Sequence, residues 1–225
     1  MAAGPLVQGR DDTGVSVPER VHAVVRLLLA ALIVVTVVVL LVNTTMRDVD
    51  PATAANFFSY FTIQSNIIVA VVFAMAAAIQ LRGSGPRWFD SLRGAATVYI
   101  SITGVVYALL LSNVDVDTPL PWANVVLHYF VPIVAVVDWL IDLPDRRISL
   151  RSATLWLAYP LAYLVYSLIR GPIVDWYPYP FLDPRHDGYG HVAVMSVVVA
   201  IAAALFAAVI AGATRLPGRM LSRRD

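Results

Sequence analysis

The sequence predicts an all-α protein, a polytopic membrane protein whose six transmembrane helices form one bundle. Composition is the first reason, because 59% of the 225 residues are hydrophobic and only 14% are charged. A soluble globular chain carries about 25% charged residues. Length is the second reason, because six apolar runs approach the roughly 20 residues that a helix needs to cross a bilayer. The third is the proline, glycine and aspartate found between these runs, which are typical of loops.

The first three runs differ in the polar residues that they carry. The first, at about 21–43, consists mostly of valine, leucine, isoleucine and alanine. The second, at about 57–81, opens with the polar island Ser59-Tyr60-Phe61-Thr62-Ile63-Gln64-Ser65-Asn66. The third, at about 93–112, lies between two connectors that contain proline. Each is long enough to span the hydrocarbon core as one helix.

The last three runs complete the bundle. The fourth, at about 121–143, holds His128 one helical turn before Pro132, and the fifth covers about 151–170. The sixth, at about 189–213, carries a stripe of alanines that suits close helix packing. Turn residues separate the six runs at Asp50-Pro51, Gly83-Ser84-Gly85-Pro86, Asp117-Thr118-Pro119, Asp142-Leu143-Pro144 and the segment 171–188.

The longest connector, at 171–188, is rich in proline and aromatic residues. Tryptophan and tyrosine collect at the headgroup level of membranes, so one interpretation is an interfacial belt. The other interpretation is a lid over a site. The two are compatible, and the sequence leaves both open.

Arginine placement predicts the orientation of the bundle. Connectors on one side hold only Arg47, Arg170 and Arg185, together with several aspartates. Basic residues favour the cytoplasmic side of membranes, so both termini are expected in the cytoplasm. The arginines that support this orientation are Arg10, Arg20, Arg82, Arg87, Arg93, Arg146, Arg147, Arg151, Arg215, Arg219, Arg223 and Arg224.

The chain therefore divides into three parts. Residues 1–20 are expected to form a cytoplasmic tail, residues 21–213 the six-helix membrane domain, and residues 214–225 a basic cytoplasmic tail. The predicted location is the cell membrane. Membrane lipids are the expected surroundings, and the oligomeric state is left open.

Composition also excludes several kinds of chemistry. With no cysteine, disulfides, thiolate catalysis, cysteine-ligated zinc and iron–sulfur clusters are excluded. Lysine is absent, so amine nucleophiles are excluded apart from the N-terminus. A net charge of +1 gives no reason to expect a nucleic-acid partner. No metal or cofactor is expected; haem held by His128 and His191 is a weaker alternative.

The most informative residue is His128, because an ionisable side chain inside a membrane helix usually faces a polar interior. Helices 2 and 4 are both expected to enter from the outer face. At 1.5 Å per residue, Thr62 then lies about 8 Å deep and His128 about 10 Å deep. The spacing of Asn124 and His128 places them on one helix face. Arg170 and His191 lie at the same side of the membrane, so the sequence predicts an outward-facing polar pocket.

The polar residues of the second run and His128 of the fourth run also have a purely structural interpretation. Serine, threonine and asparagine inside membrane helices often only bond to neighbouring helices. A lone histidine can be a satisfied core residue. Three further polar residues, His22, Arg26 and Asp138, are interpreted as interfacial because they lie near the inner helix ends.

Four strings carry a resemblance to a known family: Tyr60-Phe61-Thr62-Ile63-Gln64-Ser65-Asn66, His128-Tyr129-Phe130-Val131-Pro132, Tyr166-Ser167-Leu168-Ile169-Arg170-Gly171 and Tyr179-Pro180-Phe181-Leu182. They resemble a bacterial six-pass membrane protein family. That family is distantly related to the animal androgen-induced and androgen-dependent membrane proteins, which are intramembrane threonine hydrolases of fatty acid esters of hydroxy fatty acids. The resemblance covers about residues 20–213 and implies a bacterial plasma-membrane protein.

The resemblance implies a catalytic pair, with Thr62 as nucleophile and His128 as base. A hydroxyl needs a base to remove its proton, and imidazole is the usual base. Ser65 and Asn66 are candidate donors to the oxyanion, and Arg170 is a candidate partner for a substrate carboxylate. What orients the imidazole is open between the freed carbonyl of His128, Asn124 and an aspartate of the outer loop.

Two functions follow from these observations. The first is an intramembrane lipid-ester hydrolase that acts on a lipophilic ester through Thr62 and His128. The alternative is a non-catalytic six-helix protein that binds or transports a small lipophilic molecule through the same pocket. The candidate substrate-binding residues in either case are Ser65, Asn66, Asn124, Arg170 and His191.

Overall fold

A computed structural model describes residues 15–48, 50–112 and 120–216. These residues form helices joined by turns, with no strand among them, and six helices are long and apolar enough to cross a membrane. The predicted all-α fold with six spans is confirmed. A short helix, α2, lies between the first two spans. The helices are α1 (Val17–Arg47), α2 (Pro51–Phe58), α3 (Phe61–Arg82), α4 (Phe89–Leu111), α5 (Pro121–Ile141), α6 (Leu150–Val174) and α7 (Pro184–Ala213).

The first helix begins at Val17, inside the segment predicted as a tail. The Glu19 carboxylate accepts hydrogen bonds of 2.8 Å from both the backbone N–H and the hydroxyl of Ser16, and Pro18 lies in the first turn. Both features stabilise a helix start. The remaining tail predictions, over residues 1–14 and 217–225, lie outside the described residues, as does the connector at 113–119.

The second span does not begin near residue 57 as expected. The helix is interrupted between α2 and α3, where Tyr60 adopts an extended conformation. Side chains take over the hydrogen bonds that a continuous helix would make: the Gln64 amide donates to the carbonyl of Phe58 at 2.8 Å, and the Ser59 hydroxyl donates to the carbonyl of Ala55 at 2.7 Å. Thr62 is therefore the second residue of α3 rather than an interior one.

The boundaries of the last two spans also differ from the prediction. Helix α6 continues through Pro172 to Val174, four residues beyond the expected end. Helix α7 starts at Pro184 and is interrupted at Gly188, whose positive φ of 74° is a conformation that glycine tolerates. The predicted connector at 171–188 is thus reduced to about half of its length.

The spans alternate in direction, so their ends form two polar layers. Helix α1 packs on α3, α3 on α4, and α4 on both α5 and α7. We call the layer that holds Val17, Arg82, Phe89, Ile141, Leu150 and Ala213 the tail end. We call the layer that holds Arg47, Phe61, Leu111, Pro121, Val174 and Pro184 the site end.

Helix α4 lies at the centre of the bundle, and its contact with α5 is close. A Cβ atom on Gly104 would lie 2.9 Å from the Cβ of Pro132 and 3.2 Å from the carbonyl oxygen of His128. Only glycine allows the two backbones to approach this closely. This contact fixes the depth at which the α5 histidine faces its neighbours.

The tail end contains a buried ion-pair cluster, which corrects the interfacial interpretation of His22, Arg26 and Asp138. The Arg26 guanidinium is 1% exposed and binds the Asp138 carboxylate with two bonds, of 2.7 and 3.0 Å. It also donates to Asp142 at 2.8 Å and to Gln80 at 3.0 Å. The ring of His22 lies 2.9 Å from the same Asp138 carboxylate.

Arg93 completes this cluster from α4. It donates to the backbone carbonyl of Asp142 at 2.9 Å and lies 3.5 Å from Asp138. Its guanidinium also lies over the ring of Trp139. Two arginines thus face two aspartates, which offsets the cost of burying charge. Sequence position alone placed these residues near a helix end, but it did not show that four helix ends converge there.

Candidate active site

The structure brings Thr62 and His128 into direct contact at the site end. The Thr62 Oγ1 and the His128 Nε2 are 3.1 Å apart, which is within hydrogen-bond distance. Thr62 is presented by the first turn of α3, and His128 by the fourth predicted span, α5. Both side chains line the same cavity, of about 300 Å³. This distance is the one that a nucleophile and its base require.

The helix around His128 is locally widened. Residues Val126–Phe130 form a π-helical turn, in which the Val131 N–H donates to the carbonyl of Val126, five residues earlier. Pro132 has no N–H to offer the His128 carbonyl, so regular α-helical bonding is already lost at this level. Such π-turns are frequent at functional sites, because they displace one side chain from the helical register.

The His128 ring is held in one orientation and one tautomer. Its Nδ1 lies 3.1 Å from the backbone carbonyl of Asn124. A carbonyl oxygen can only accept, so Nδ1 carries the proton and Nε2 presents its lone pair to Thr62. Tyr107 stacks on the imidazole with a centroid distance of 4.0 Å, and its hydroxyl is bonded to the Asn124 amide. Of the orienting groups left open above, the Asn124 carbonyl is the one in contact.

Tyr179 is a site residue that sequence reasoning missed. Its hydroxyl accepts a bond of 3.2 Å from the Thr62 backbone N–H and lies 3.3 Å from Thr62 Oγ1. The Thr62 hydroxyl has one proton, which faces His128, so the Tyr179 hydroxyl is the donor to Oγ1. Burial raises the pKa of Tyr179 to about 12, which keeps the phenol protonated at neutral pH.

Tyr179 comes from the connector between α6 and α7, which was predicted as a belt or a lid. Its ring stacks on Phe181 at 5.3 Å and packs edge-on against Tyr60. The connector therefore folds back onto the beginning of α3. The dense aromatic and proline content of this segment was the available signal, but it did not identify which tyrosine turns inward.

Ser65 and Asn66 lie behind Thr62 and are fully buried. The Asn66 amide donates to the carbonyls of Thr62, at 2.8 Å, and Leu127, at 3.3 Å. The Ser65 hydroxyl is 3.1 Å from the Thr62 carbonyl and 2.8 Å from the Thr103 hydroxyl. Neither side chain lines a described cavity. Their contacts fix the backbone of Thr62 relative to α4 and α5, whereas the sequence had suggested that they contact substrate.

Arg170 and His191 occupy different positions relative to the pair. Arg170 donates to the side-chain oxygen of Asn56 at 2.7 Å and lies over the ring of Trp176. Both of these partners line the 300 Å³ cavity, so Arg170 lies directly behind its wall. His191 is exposed on α7 and lines neither this cavity nor the next one described. The structure does not bring it to His128 to form a haem-binding pair.

A second cavity, of about 450 Å³, lies between α4, α6 and α7. We call it the apolar chamber because leucine, valine, alanine and aromatic side chains form most of its wall. We call the 300 Å³ space the polar cavity, since it takes in polar side chains of α1, α2 and α5 among the leucine and aromatic residues that also line it. Three residues, Thr62, Leu111 and Tyr179, line both spaces. The candidate nucleophile is therefore at the boundary between them.

Among the residues that the structure describes, no group of three or more histidine, aspartate or glutamate side chains is arranged to hold a metal ion. Comparisons with family models, with curated proteins and with solved structures found no match. The family resemblance accordingly stays a prediction. The function has to be inferred from the contacts of Thr62, His128 and Tyr179.

Proposed function

We propose that this membrane protein is an intramembrane lipid-ester hydrolase in which Thr62 is the nucleophile and His128 is its general base. The observation that carries the proposal is the 3.1 Å contact between Thr62 Oγ1 and an imidazole nitrogen whose tautomer is set by the Asn124 carbonyl. A threonine hydroxyl is a weak nucleophile until a positioned base removes its proton. Thr62 lines both cavities, and His128 lines the polar one.

The reaction proceeds in two halves. In the first, the Thr62 proton passes to His128 Nε2 while Oγ1 bonds to the ester carbonyl carbon. The tetrahedral intermediate then collapses, the bond to the alcohol oxygen breaks, and His128 returns the proton to that oxygen. In the second half, water gives a proton to His128 and attacks the acyl-threonine. The bond to Oγ1 breaks, Thr62 regains its proton, and a carboxylic acid leaves.

Tyr179 and the first turn of α3 stabilise the negative charge of the intermediate. The phenol of Tyr179 lies 3.3 Å from Oγ1, so its proton is within reach of an oxygen on the attacked carbon. Thr62 is the second residue of α3, and the N-terminus of a helix carries partial positive charge. Donors that are already in place when the charge develops contribute more than flexible ones.

In many hydrolases a carboxylate orients the histidine, but here a backbone carbonyl contacts the His128 ring. The Asn124 carbonyl takes this place and contacts the imidazole at 3.1 Å. Inside a membrane helix this substitution has a physical advantage, because an unpaired carboxylate there is costly to bury. The carbonyl fixes the tautomer without adding a charge.

The alternative function, binding or transport of a small lipophilic molecule without catalysis, is favoured by the apolar chamber itself. Its volume of about 450 Å³ falls within the range of small-molecule sites. A binding protein would need this space but would not need the Thr62–His128 contact. Substitutions at that contact therefore separate the two functions.

The decisive experiment compares purified wild-type protein with Thr62→Val, Thr62→Ser, His128→Ala and the double variant Thr62→Val/His128→Ala. The assay is hydrolysis of long-chain fatty esters in detergent. Thr62→Val and His128→Ala should each lower turnover on the order of 10⁴-fold. The double variant should be scarcely worse, because members of a catalytic unit are not additive. Thr62→Ser should retain part of the activity, since it keeps the hydroxyl.

Thr36→Val is the matched control for this experiment. Thr36 is also a fully buried helix threonine, and its hydroxyl bonds only to the carbonyl of Leu32 within its own helix at 2.8 Å. We expect this variant to retain wild-type turnover. A folded Thr62→Val protein with wild-type turnover would refute the nucleophile assignment and leave the binding function.

The orientation of the bundle belongs to the same proposal. We expect the tail end in the cytoplasm and the site end at the outer face of the plasma membrane, because arginine is concentrated in the tail-end connectors. The cysteine-free sequence allows direct labelling. Ala52→Cys, which is exposed at the site end, should react with an impermeant maleimide added to intact cells, and Ser84→Cys at the tail end should not. The reverse pattern would invert the topology.

A further inference from the structure

The two cavities that meet at Thr62 differ in chemistry, and this difference identifies the substrate class. The apolar chamber is walled mainly by side chains such as Leu164, Leu182 and Val199. The polar cavity includes Asp48, Asn56 and Asn124. An ester bonded to Thr62 can extend one limb into each space, because Thr62 lines both.

Building on the hydrolase function proposed above, we propose that the substrate is an ester of a long-chain fatty acid with a glycerol-like polyol. The acyl limb occupies the apolar chamber, and the polyol limb occupies the polar cavity. The protein is then an acyl-polyol lipase whose two products leave through different openings.

The position of His128 decides which limb lies where. The departing alcohol oxygen must receive a proton from His128 Nε2, so this oxygen has to lie on the side of the histidine. His128 lines the polar cavity and not the apolar chamber. The alcohol therefore departs through the polar cavity. The acyl group that remains on Thr62 Oγ1 extends to the opposite side, into the apolar chamber.

The apolar chamber is suited to a chain that arrives from the bilayer. Leu155 and Leu161 line it and are 74% and 62% exposed, so they lie where the space meets the lipid-facing surface of α6. Small residues of α7, including Ala200 and Ala203, form the facing wall. An acyl chain can enter sideways between α6 and α7 without crossing the polar cavity.

The polar cavity offers hydrogen-bond acceptors to hydroxyl groups. The amide oxygen of Asn124 is buried and has no hydrogen-bond partner, and an unpartnered acceptor of this kind requires a donor. The Asp48 carboxylate, 2.9 Å from the Thr53 hydroxyl, adds acceptor oxygens and negative charge. Hydroxyls of a polyol donate to such oxygens, whereas an ionised carboxylate has no proton to donate.

The test uses two substrate series and one pair of matched variants. The acyl series contains butanoyl, octanoyl and palmitoyl esters of glycerol. The alcohol series contains palmitoyl esters of glycerol, of methanol and of a hydroxy fatty acid. Ala200→Phe narrows the apolar chamber. Ala204→Phe is its control, one turn further along α7, because Ala204 is also exposed but lines neither cavity.

We expect the wild type to prefer palmitoyl glycerol in both series. Ala200→Phe should lower kcat/KM for the palmitoyl ester about tenfold or more, while the butanoyl ester changes little, because added volume in an apolar pocket discriminates on this scale. Ala204→Phe should keep the wild-type profile. Should Ala200→Phe fail to fold, Ala200→Leu provides a smaller narrowing with the same expected direction.

A second pair of variants tests the polyol limb. Thr44 lines the polar cavity, whereas its neighbour Thr45 does not and bonds back to the Leu41 carbonyl at 2.8 Å. Thr44→Leu should reduce the preference for the glycerol ester over the methyl ester several-fold and leave the acyl-length profile unchanged. Thr45→Leu should alter neither.

The two levels of the proposal fail in different ways. If the hydrolase function is wrong, the wild type cleaves no member of either series, and this inference falls with it. If only the limb assignment is wrong, esters are cleaved, but Ala200→Phe alters the alcohol preference or Ala204→Phe has the same effect as Ala200→Phe. A wild type that prefers the hydroxy fatty acid ester over the glycerol ester would overturn the polyol assignment.

Displacement of cis-parinaric acid by palmitic acid measures how tightly the apolar chamber binds a fatty acid, independently of catalysis. The fluorescent acid should bind the wild type and Thr62→Val about equally, since a hydroxyl contributes little to holding the chain. Ala200→Phe should weaken this binding several-fold. Equal binding by Ala200→Phe would overturn the assignment of the acyl limb to the apolar chamber.

Discussion

The two ends of the bundle both contain a buried polar cluster that joins several helices, but the clusters are built from different groups. At the tail end, Arg26 meets Asp138 and Asp142 through charge-assisted bonds of 2.7–3.0 Å. At the site end, Thr62 Oγ1 makes neutral contacts with His128 at 3.1 Å and with Tyr179 at 3.3 Å.

The comparison teaches how a buried polar cluster becomes reactive. Charges that are fully paired offset the cost of their own burial and leave no group free to react. The uncharged, hydrogen-bonded side chains at the site end leave one nitrogen lone pair directed at one hydroxyl, beside a cavity. Pairing makes a cluster structural, whereas an unused lone pair beside a cavity makes it a candidate for catalysis.

The largest expected effect comes from breaking the tail-end cluster. Arg26→Met removes the two shortest charged bonds of the buried Asp138 carboxylate and leaves it only His22 and the more distant Arg93, so the free energy of unfolding should fall by about 3–5 kcal/mol. Titration with sodium dodecyl sulfate in mixed micelles measures this loss. Arg26→Met/Asp138→Asn should recover part of it, because the uncompensated charge is removed.

Arg87→Met is the control for that prediction, since Arg87 is exposed at the same end of the bundle. It should change stability by less than about 0.5 kcal/mol. If Arg26→Met were as stable as Arg87→Met, the tail-end cluster would not be structural, and the contrast between the two ends would disappear.

Tyr179→Phe should lower turnover strongly while changing stability little, in contrast to Arg26→Met. It removes the donor closest to the Thr62 Oγ1, so turnover should fall about 10²–10³-fold, which corresponds to roughly 2.7–4 kcal/mol of transition-state stabilisation. The free energy of unfolding should change far less, because a typical net hydrogen bond contributes about 0.5–1.5 kcal/mol. Ester hydrolysis and unfolding are measured on the same preparation.

The matched control is Tyr189→Phe, because Tyr189 is 66% exposed and lines neither cavity. It should be indistinguishable from wild type in both measurements. Unchanged turnover in a folded Tyr179→Phe protein would remove Tyr179 from the reaction and leave it a packing residue.

Gly104→Ala tests whether helix spacing controls the site. The new Cβ would lie 2.9 Å from the Cβ of Pro132, so α4 and α5 must separate slightly. Overpacking of this kind should cost about 1–3 kcal/mol of stability. It should also lower turnover, because His128 moves relative to Thr62. Gly212→Ala, where a Cβ meets no atom within 4 Å, should show neither effect.

The smallest effect concerns acid stability at the tail end. Burial alone raises the pKa of Asp142, but attraction to Arg93 and Arg26 outweighs it and holds that pKa below its usual value of about 3.9. The resulting stabilisation is fully present above that value and is lost as pH falls through the lower, folded-state pKa. The midpoint of unfolding should not change with pH near neutrality and should fall in acid. Asp142→Asn should show a shallower drop.

Much of the fold was predictable, because crossing a membrane imposes a length and a composition that a single sequence displays. The first span and its neighbours were found from apolar runs and turn residues alone. The boundaries were less predictable. The break before Phe61 depends on a Gln64 side chain that bonds the Phe58 carbonyl, and hydropathy contains no information about that bond.

The candidate site was predictable only in part. Thr62 and His128 were singled out by a histidine inside an apolar run, by their similar depth and by the resemblance of their motifs. Ser65 and Asn66 were predicted to contact substrate, and the structure shows them buried and bonded to the Thr62 carbonyl. Helix periodicity places them near Thr62 but does not show which neighbour receives their hydrogen bonds. His191 was expected at the level of the site, but it is exposed and lines neither cavity.

The sequence by itself determined that the chain has six segments long and apolar enough to cross a membrane, which residue types are available for chemistry, and which histidine lies among apolar residues. These properties follow from composition and local order along the chain. Only the tertiary structure decided that Tyr179 closes onto Thr62, that the Asn124 carbonyl sets the tautomer of His128, and that Arg26 is paired at the opposite end. Such contacts join residues from separate helices, and they depend on how side chains pack across the bundle rather than on any pattern within one segment.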